Sequence, residues 1–220
     1  AYNAGLGRAG LIHAVPETAS RVLHIGCGSA SASRLHPHFR TAAWQEGRVD
    51  VDAGVEPGIV ASIVDLHGVV EDESCDAVWA SHVIEHIDTH DVKRALGEIR
   101  RVLNPAGFVL LRCPDIEQVA QFIVEGRLNE VIYQSAAGPI TPLDMLFGHS
   151  ASIAQARDAM RHRTAFTEKI LADALIEAGF SEVRTLRTAQ YEIWAAAFRE
   201  AAPVDVYVER LAECGTVLRQ

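Results

Sequence analysis

The sequence lacks most of what would mark an extracellular, membrane or nucleic-acid-binding protein. Its 220 residues hold four cysteines, Cys27, Cys75, Cys113 and Cys214, far apart and with no C-x-x-C pair. That spacing excludes a disulfide framework and reads as reduced, buried thiols in a cytoplasmic protein. No apolar run is long enough to span a bilayer, and the start shows no signal-peptide pattern. Basic residues are scarce: 20 Lys and Arg face 29 Asp and Glu, a formal net charge of −9. Non-specific nucleic-acid binders neutralise phosphates with clustered Lys and Arg, so nucleic acid is not an expected partner. Only a local basic patch would bring in an RNA or protein substrate. Internal repeats and low-complexity tracts are absent as well. The chain opens on Ala1 rather than Met, which leaves room for a longer gene product. Nothing in it speaks to oligomeric state.

What is present is ordinary for a globular protein: 49% hydrophobic and 22% charged residues. The length suits one domain over residues 1–220, with a core of its own. Short apolar runs bounded by Gly, Pro or Asp predict strands buried on both faces of a parallel sheet: RVLHI (21–25), RVDVD (48–52), IVASI (59–63), CDAVWA (75–80) and GFVLLRC (107–113). Between them lie helical stripes. Val92, Ala95, Leu96, Ile99, Val102 and Leu103 define one, stopped by Asn104-Pro105. Asp115, with Gln118 at the capping-box position, opens a second in IEQVAQFIVEG. Ile170, Leu171, Ala174 and Leu175 define a third, ending at Gly179; SEVRTLRT and EIWAAAFRE read as closing strands. Strands alternating with helices predict an α/β, doubly wound, mostly parallel sheet. Residues 128–165 break the rhythm, being rich in Gly, Pro, Ser and His. So long an irregular segment is expected to be a lid or acceptor-binding insertion.

Chemistry concentrates at predicted strand ends. Gly26 and Gly28 follow the first strand directly, where glycine lets the backbone turn tightly and approach a ligand. Ser31 stands where a dinucleotide fingerprint wants its third glycine, which argues against NAD. Asp50 and Asp52 close the second strand, where a carboxylate can accept both ribose hydroxyls of an adenosine. Asp65 follows the third strand beside the same crevice. Ligands of such sheets bind outside the carboxyl ends of the strands.

The stretch SHVIEH (81–86) poses a different question. His82, Glu85 and His86 form H-x-x-E-H, the pattern of a zinc-binding helix with a glutamate base. A zinc site needs a third protein ligand; His90 continues the i, i+4 spacing, but Asp88-Thr89 reads as a new helix start that breaks the register. No metal is expected on this reading.

In order, VLHIGCG, VDVD, VDL, SCDAVWASHVIEHI and ALGEIRRVLNPAGFVLLRCPD resemble class I S-adenosylmethionine-dependent methyltransferases, and more closely the group labelled methyltransferase type 11. The resemblance covers about residues 20–114, and more loosely reaches 200. It implies a seven-stranded Rossmann-like methyltransferase fold and S-adenosyl-L-methionine as methyl donor. Carried over, Gly26, Cys27 and Gly28 contact the methionine part, Asp50 with Asp52 the ribose, and Asp65 with Leu66 the adenine. Ser81 and His82 flank the sulfonium, and SHVIEH lines the cofactor crevice without binding zinc. Two departures stand out. Ala106 replaces the first of the usual paired glycines, and HPHF (36–39) occupies ground where a longer first helix is common. The middle phrases SAAGPITPLDMLFGHS and RHRTAFT are similar to a bacterial subgroup of these proteins.

Methyl transfer from a sulfonium is an in-line displacement, so the protein must position a nucleophile and remove a proton where the acceptor carries one. The insertion offers His149 and His162 as bases, since histidine titrates near neutrality. Arg161 and Arg163 are candidate clamps for an acceptor carboxylate or phosphate. Tyr133 is a candidate for orienting the acceptor, and Asp144 reads as a helix cap. The expected function is methyl transfer to a small-molecule or glycan-type acceptor. The alternatives are an NAD(P)-dependent oxidoreductase, which lacks a Tyr-x-x-x-Lys relay here, and a non-catalytic methyltransferase-like binding module. A metallopeptidase comes last.

Overall fold

The apolar runs do pair into one sheet. The computed structural model describes residues 19–155 and 157–219; residues 1–18 of the expected domain lie outside them. In chain order the strands are β1 (Ser20–Ile25), β2 (Trp44–Asp50), β3 (Ile59–Val60), β4 (Cys75–Ser81), β5 (Leu103–Pro114), β6 (Tyr133–Ser135), β7 (Gly138–Ile140), β8 (Glu182–Arg187) and β9 (Glu192–Phe198). The helices are α1 (Val92–Val102), α2 (Ile116–Val124), α3 (Pro142–Phe147), α4 (Ser150–Ala154), α5 (Glu168–Glu177) and α6 (Val204–Glu213). Seven strands form the sheet in the order β3-β2-β1-β4-β5-β9-β8, and β6 and β7 form a separate hairpin. Strands β1 to β5 run parallel, while β9 is antiparallel to both β5 and β8. This is the doubly wound, mostly parallel sheet that the sequence predicts.

Strand period fixes the two faces. Along β4, Cys75, Val78 and Ala80 join the core beneath α1 and α5, whereas Ala77 and Trp79 join the opposite core. Helix α1 turns Val92, Ala95, Leu96, Ile99 and Val102 into the first core, as its stripe predicts. On α5 the stripe is narrower than expected, because Leu171 and Leu175 are buried but Ile170 is mostly exposed. The second face is closed by aromatic packing. Phe39, Phe108, Phe198 and Tyr207 meet there, with ring centroids of Phe108 and Tyr207 4.3 Å apart.

Several boundaries differ from expectation for physical reasons. Strand β2 starts at Trp44, because Gln45, Glu46 and Gly47 pair with β1 despite their polarity. Strand β3 is two residues long, so IVASI is mostly loop. The first helix is replaced by two 3-10 turns, Ala32–Arg34 and Pro37–Phe39. HPHF acts there as an aromatic plug. The buried His36 hydrogen-bonds Thr216 Oγ1 at 2.9 Å, and burial above all, with the nearby charges of His38 and Arg40, pushes its pKa down to about 4. Residues 128–165 do contain order, namely the hairpin and two short helices. Helix α6 was not anticipated from the sequence, although Val204, Tyr207, Val208 and Leu211 have helical spacing and pack on the second face. The cysteines are free thiols, with Cys27, Cys75 and Cys113 buried as expected and Cys214 only half-buried. No described helix is long and apolar enough to cross a membrane.

One glycine is dispensable. Gly97 lies inside α1, and a Cβ there would meet nothing within 4 Å. Glycine inside a helix costs about 0.5–1 kcal/mol relative to alanine, so Gly97→Ala is expected to stabilise by that amount in denaturant unfolding.

Candidate active site

The strand order reverses between β1 and β4, and the residues ending β1, β2, β4 and β5 converge there with the start of β9. At the end of β1 the chain turns through Gly26 (φ +66°) and Gly28 (φ +58°), a region that glycine enters without penalty. A Cβ on Gly26 would lie 2.3 Å from Val83 Cγ2, so the turn lies hard against the segment after β4. Asp50 organises this edge. Its Oδ2 accepts the Gly28 N–H at 2.8 Å, and its Oδ1 accepts the Asp52 N–H at 3.0 Å. Cys27 is buried and donates its N–H to Val49 O at 3.1 Å; burial foremost pushes its thiol up. Asp52 instead caps the turn Ala53–Val55, accepting the Gly54 N–H at 2.8 Å.

A cleft of about 290 Å³ opens at this point. Ile25, Gly26, Asp50 and Val51 form one wall, and Ala61 to Val64 form another. Val83, His86, Ile87 and Asp88 close it from β4, and Ala159 and Arg163 from the insertion. Asp65 does not line the cleft; it is exposed and faces Arg94 at 3.8 Å. Leu66 is fully buried in the core, with its N–H on Glu98 Oε2 at 2.8 Å. Because β3 stops at Val60, the residues that reach the edge are Ala61 to Val64, earlier than the sequence suggests.

SHVIEH is a bend, not a zinc helix. His82 sits at φ +54°, Ile84–His86 form a single 3-10 turn, and the two histidines diverge. His82 Nδ1 is 3.1 Å from Glu85 Oε1, and its Nε2 is 3.0 Å from Glu192 Oε1. Burial opposes its protonation, but the hydrogen bonds it donates to Glu192 and Glu85 outweigh that and raise its pKa to about 9. Ser81 accepts from Arg112 Nε at 2.9 Å. Arg112 in turn faces Glu192 at 3.7 Å and stacks over Trp194 at 5.1 Å. Burial resists ionisation of Glu192, yet the His82 hydrogen bond and the Arg112 charge hold its carboxyl below the ordinary value.

On the other side of Glu192 lies a second pocket of about 510 Å³, walled by Arg112, Tyr133, Gln134, Glu192, Trp194 and Thr216 among others. The insertion residues singled out from the sequence scatter. Tyr133 reaches this second pocket and Arg163 the first, where it faces Asp88 at 3.6 Å and Asp158 at 3.4 Å. His149 lines neither pocket and hydrogen-bonds Ser152 Oγ at 2.8 Å. His162 lines neither and donates from Nδ1 to Met145 O at 2.8 Å. Arg161 pairs with Asp158 at 2.5 Å. Asp144 caps α3 in a capping box with Thr141; hydrogen bonds from Thr141 and Ser150 overcome burial and hold its pKa near 2. Arg112, Glu192 and Trp194 were missed in the sequence. The available signal was a charge at the carboxyl-edge end of two otherwise apolar strands.

The residues at the cleft suit an adenosyl ligand: a turn without side chains, an anchored carboxylate at its lip, and apolar walls from Ile25, Val51 and Ile63. The sheet order is that of the Rossmann-like methyltransferase fold. Residues 23–111 match the family model described as a methyltransferase domain. A SAM-dependent methyltransferase from Thermotoga maritima is 17% identical over 82% of this chain and 83% of its own, with a TM-score of 0.51. One from Methanosarcina mazei is 17% identical over 84% and 94%, with a TM-score of 0.54. The 1,6-didemethyltoxoflavin-N1-methyltransferase of Burkholderia thailandensis, solved with 1,6-didemethyltoxoflavin and S-adenosylhomocysteine bound, is 16% identical over 82% of this chain and 71% of its own, with a TM-score of 0.51. At these identities the likeness is one of fold. No curated protein matches the sequence.

Proposed function

We propose that the chain transfers a methyl group from S-adenosylmethionine, bound in the Asp50 cleft, to a small-molecule acceptor held in the pocket of Arg112, Tyr133 and Trp194. The observation that carries this reading is the Asp50 carboxylate, which backbone N–H groups of Gly28 and Asp52 hold at the lip of the cleft. A carboxylate fixed in this way can accept ribose hydroxyls without reorganising. Gly26 leaves room for the methionine end, and the exposed Arg34 guanidinium, close to where a Gly28 side chain would begin, suits its carboxylate. Ala61 to Val64, rather than Asp65 and Leu66, border the adenine.

S-adenosylmethionine, when bound, supplies a methyl group already activated on a sulfonium. The protein's task is then alignment, which can supply roughly 7–11 kcal/mol in well-ordered systems. Ser81 and His82 line neither pocket, but Ser81 hydrogen-bonds Arg112 and His82 hydrogen-bonds Glu192, both on the acceptor pocket's wall. A carboxyl held below its ordinary pKa is a weak base, so Glu192 orients an acceptor hydroxyl or amine more than it deprotonates one. Residues 128–165 act as a lid in this reading, supported by their contribution of Ala159 and Arg163 to one pocket and Tyr133 and Gln134 to the other. His149 and His162 are replaced by Glu192 and Tyr133 as the groups nearest the acceptor.

Calorimetric titration with S-adenosylhomocysteine tests the reading, with NADH and NADPH alongside. Micromolar binding of the homocysteine product is expected. Asp50→Ala should weaken it about ten- to a hundredfold, the worth of hydrogen bonds to a charged group. Asp52→Ala, which removes a turn cap, should change it by about twofold or less. Equal affinity in wild type and Asp50→Ala would overturn the ribose assignment, and selective binding of a nicotinamide would favour the oxidoreductase instead.

A further inference from the structure

The H-x-x-E-H phrase fails as a zinc helix because it offers no third ligand locally. The fold supplies one from the far end of the insertion. Glu85, His86 and His162 each present a ligand atom within 4.8 Å of the others, and the two imidazole rings have centroids 4.9 Å apart. The chemistry of each donor is specific. His86 donates from Nδ1 to Arg161 O at 3.0 Å, and His162 donates from Nδ1 to Met145 O at 2.8 Å. Both Nε2 atoms therefore carry the lone pair, with each ring oriented by a backbone carbonyl. Metal-binding histidines are fixed in just this manner through their second nitrogen.

Glu85 is the second, independent observation. The residue is 1% exposed, and its Oε1 is held by His82 Nδ1 at 3.1 Å. Its Oε2 is buried and has no hydrogen-bond partner among the described residues. A buried carboxylate oxygen left bare is costly, and a cation is the partner that would satisfy it. The backbone holds the triad together. Arg163 and Thr164 both donate their N–H groups to Glu85 O, at 2.8 and 3.2 Å, so the strap bearing His162 is tied to the turn bearing Glu85 and His86.

The geometry points to a divalent transition-metal site formed by Glu85, His86 and His162. Two imidazoles and a carboxylate are the donor set of open, three-ligand zinc sites. His86 also lines the cofactor cleft, which places the site at the cleft wall. The site thus shares His86 with that wall, but its Zn²⁺ affinity is read without any adenosyl ligand present. A second acidic group with a histidine, Asp88, His90 and Asp91, lies nearby, is mostly exposed and serves as the internal comparison.

The test uses the full chain stripped with EDTA and titrated with Zn²⁺ against a chromophoric chelator. One equivalent per chain is expected, with affinity falling more than about a hundredfold in His162→Ala and Glu85→Gln, beyond what loss of an outer partner costs. His90→Ala should bind as wild type. Co²⁺ in place of Zn²⁺ should give visible absorption bands in wild type that His162→Ala loses. Thermal unfolding and far-UV circular dichroism, measured on the same samples, report whether each variant folds. His162 sits on a half-buried strap, so its variant serves if Glu85→Gln does not fold. Absence of Zn²⁺ binding in wild type, undiminished affinity in folded His162→Ala, or loss in His90→Ala alone would each overturn the site while leaving the cofactor reading standing.

Discussion

Gly26→Ala is expected to abolish measurable S-adenosylhomocysteine binding and to destabilise the fold. Two effects act together. At φ +66° any L side chain is strained, at a cost of about 1–3 kcal/mol. The new Cβ would also lie 2.3 Å from Val83 Cγ2, and overpacking of that kind costs typically about 1–3 kcal/mol. Val83 immediately precedes the Ile84–His86 turn, so moving it shifts a cleft wall as well. Denaturant unfolding and calorimetry separate the two effects. The pair Gly26→Ala with Val83→Ala removes the collision and should recover part of the stability, while the backbone strain and the methyl in the cradle remain. Wild-type affinity in the single variant would mean that this turn does not hold the cofactor.

The sheet was legible because its signals are local. CDAVWA and GFVLLRC are apolar on both faces, and a parallel strand buried between two layers needs just that. Helix α1 announced itself through five buried positions at helical spacing. Strand β2 was cut short in the reading because Gln45 and Glu46 look like loop; they are strand because β1 supplies backbone partners. Strand β3 was overextended for the opposite reason. IVASIV is apolar enough for a strand, but after Val60 its backbone leaves the ladder, which moves the edge of the cleft to Ala61–Val64.

The site divides in the same way. The clustering of Gly26, Gly28 and Asp50 at one sheet edge was readable because each directly follows or ends an apolar run. Glu192 was not, since its meaning comes from His82, 110 residues away, and from Arg112 on a neighbouring strand. His149 and His162 looked equivalent as histidines in a polar insertion. Tertiary structure separates them, because one bonds Ser152 at the start of a short helix and the other meets Glu85 and His86. Residue type announced a titratable group in each case, and only packing assigned its neighbours.

Gly148→Ala should be the most damaging single change within the insertion. Gly148 adopts φ +92° and ψ +157°, a region essentially closed to other residues. A Cβ there would lie 2.0 Å from Met160 O and 3.0 Å from Arg161 Cα, both backbone atoms that cannot swing aside. The strap is also fastened beside it, His162 donating its N–H to Phe147 O at 3.2 Å. Strain and overpacking together predict a loss of about 2–6 kcal/mol, or roughly 5–20 °C in melting temperature for a chain this long. Gly126→Ala supplies the contrast. Its φ is +73°, but a Cβ would meet nothing within 4 Å, so only the strain of about 1–3 kcal/mol applies. If the insertion opens locally instead of the whole chain, proteolysis between residues 147 and 163 should rise while the main transition holds. Either result brings weaker S-adenosylhomocysteine binding, since Arg163 leaves the cleft wall with the strap. A Gly148→Ala protein as stable and as protease-resistant as Gly126→Ala would mean that the strap yields freely and is no fixed part of the cleft.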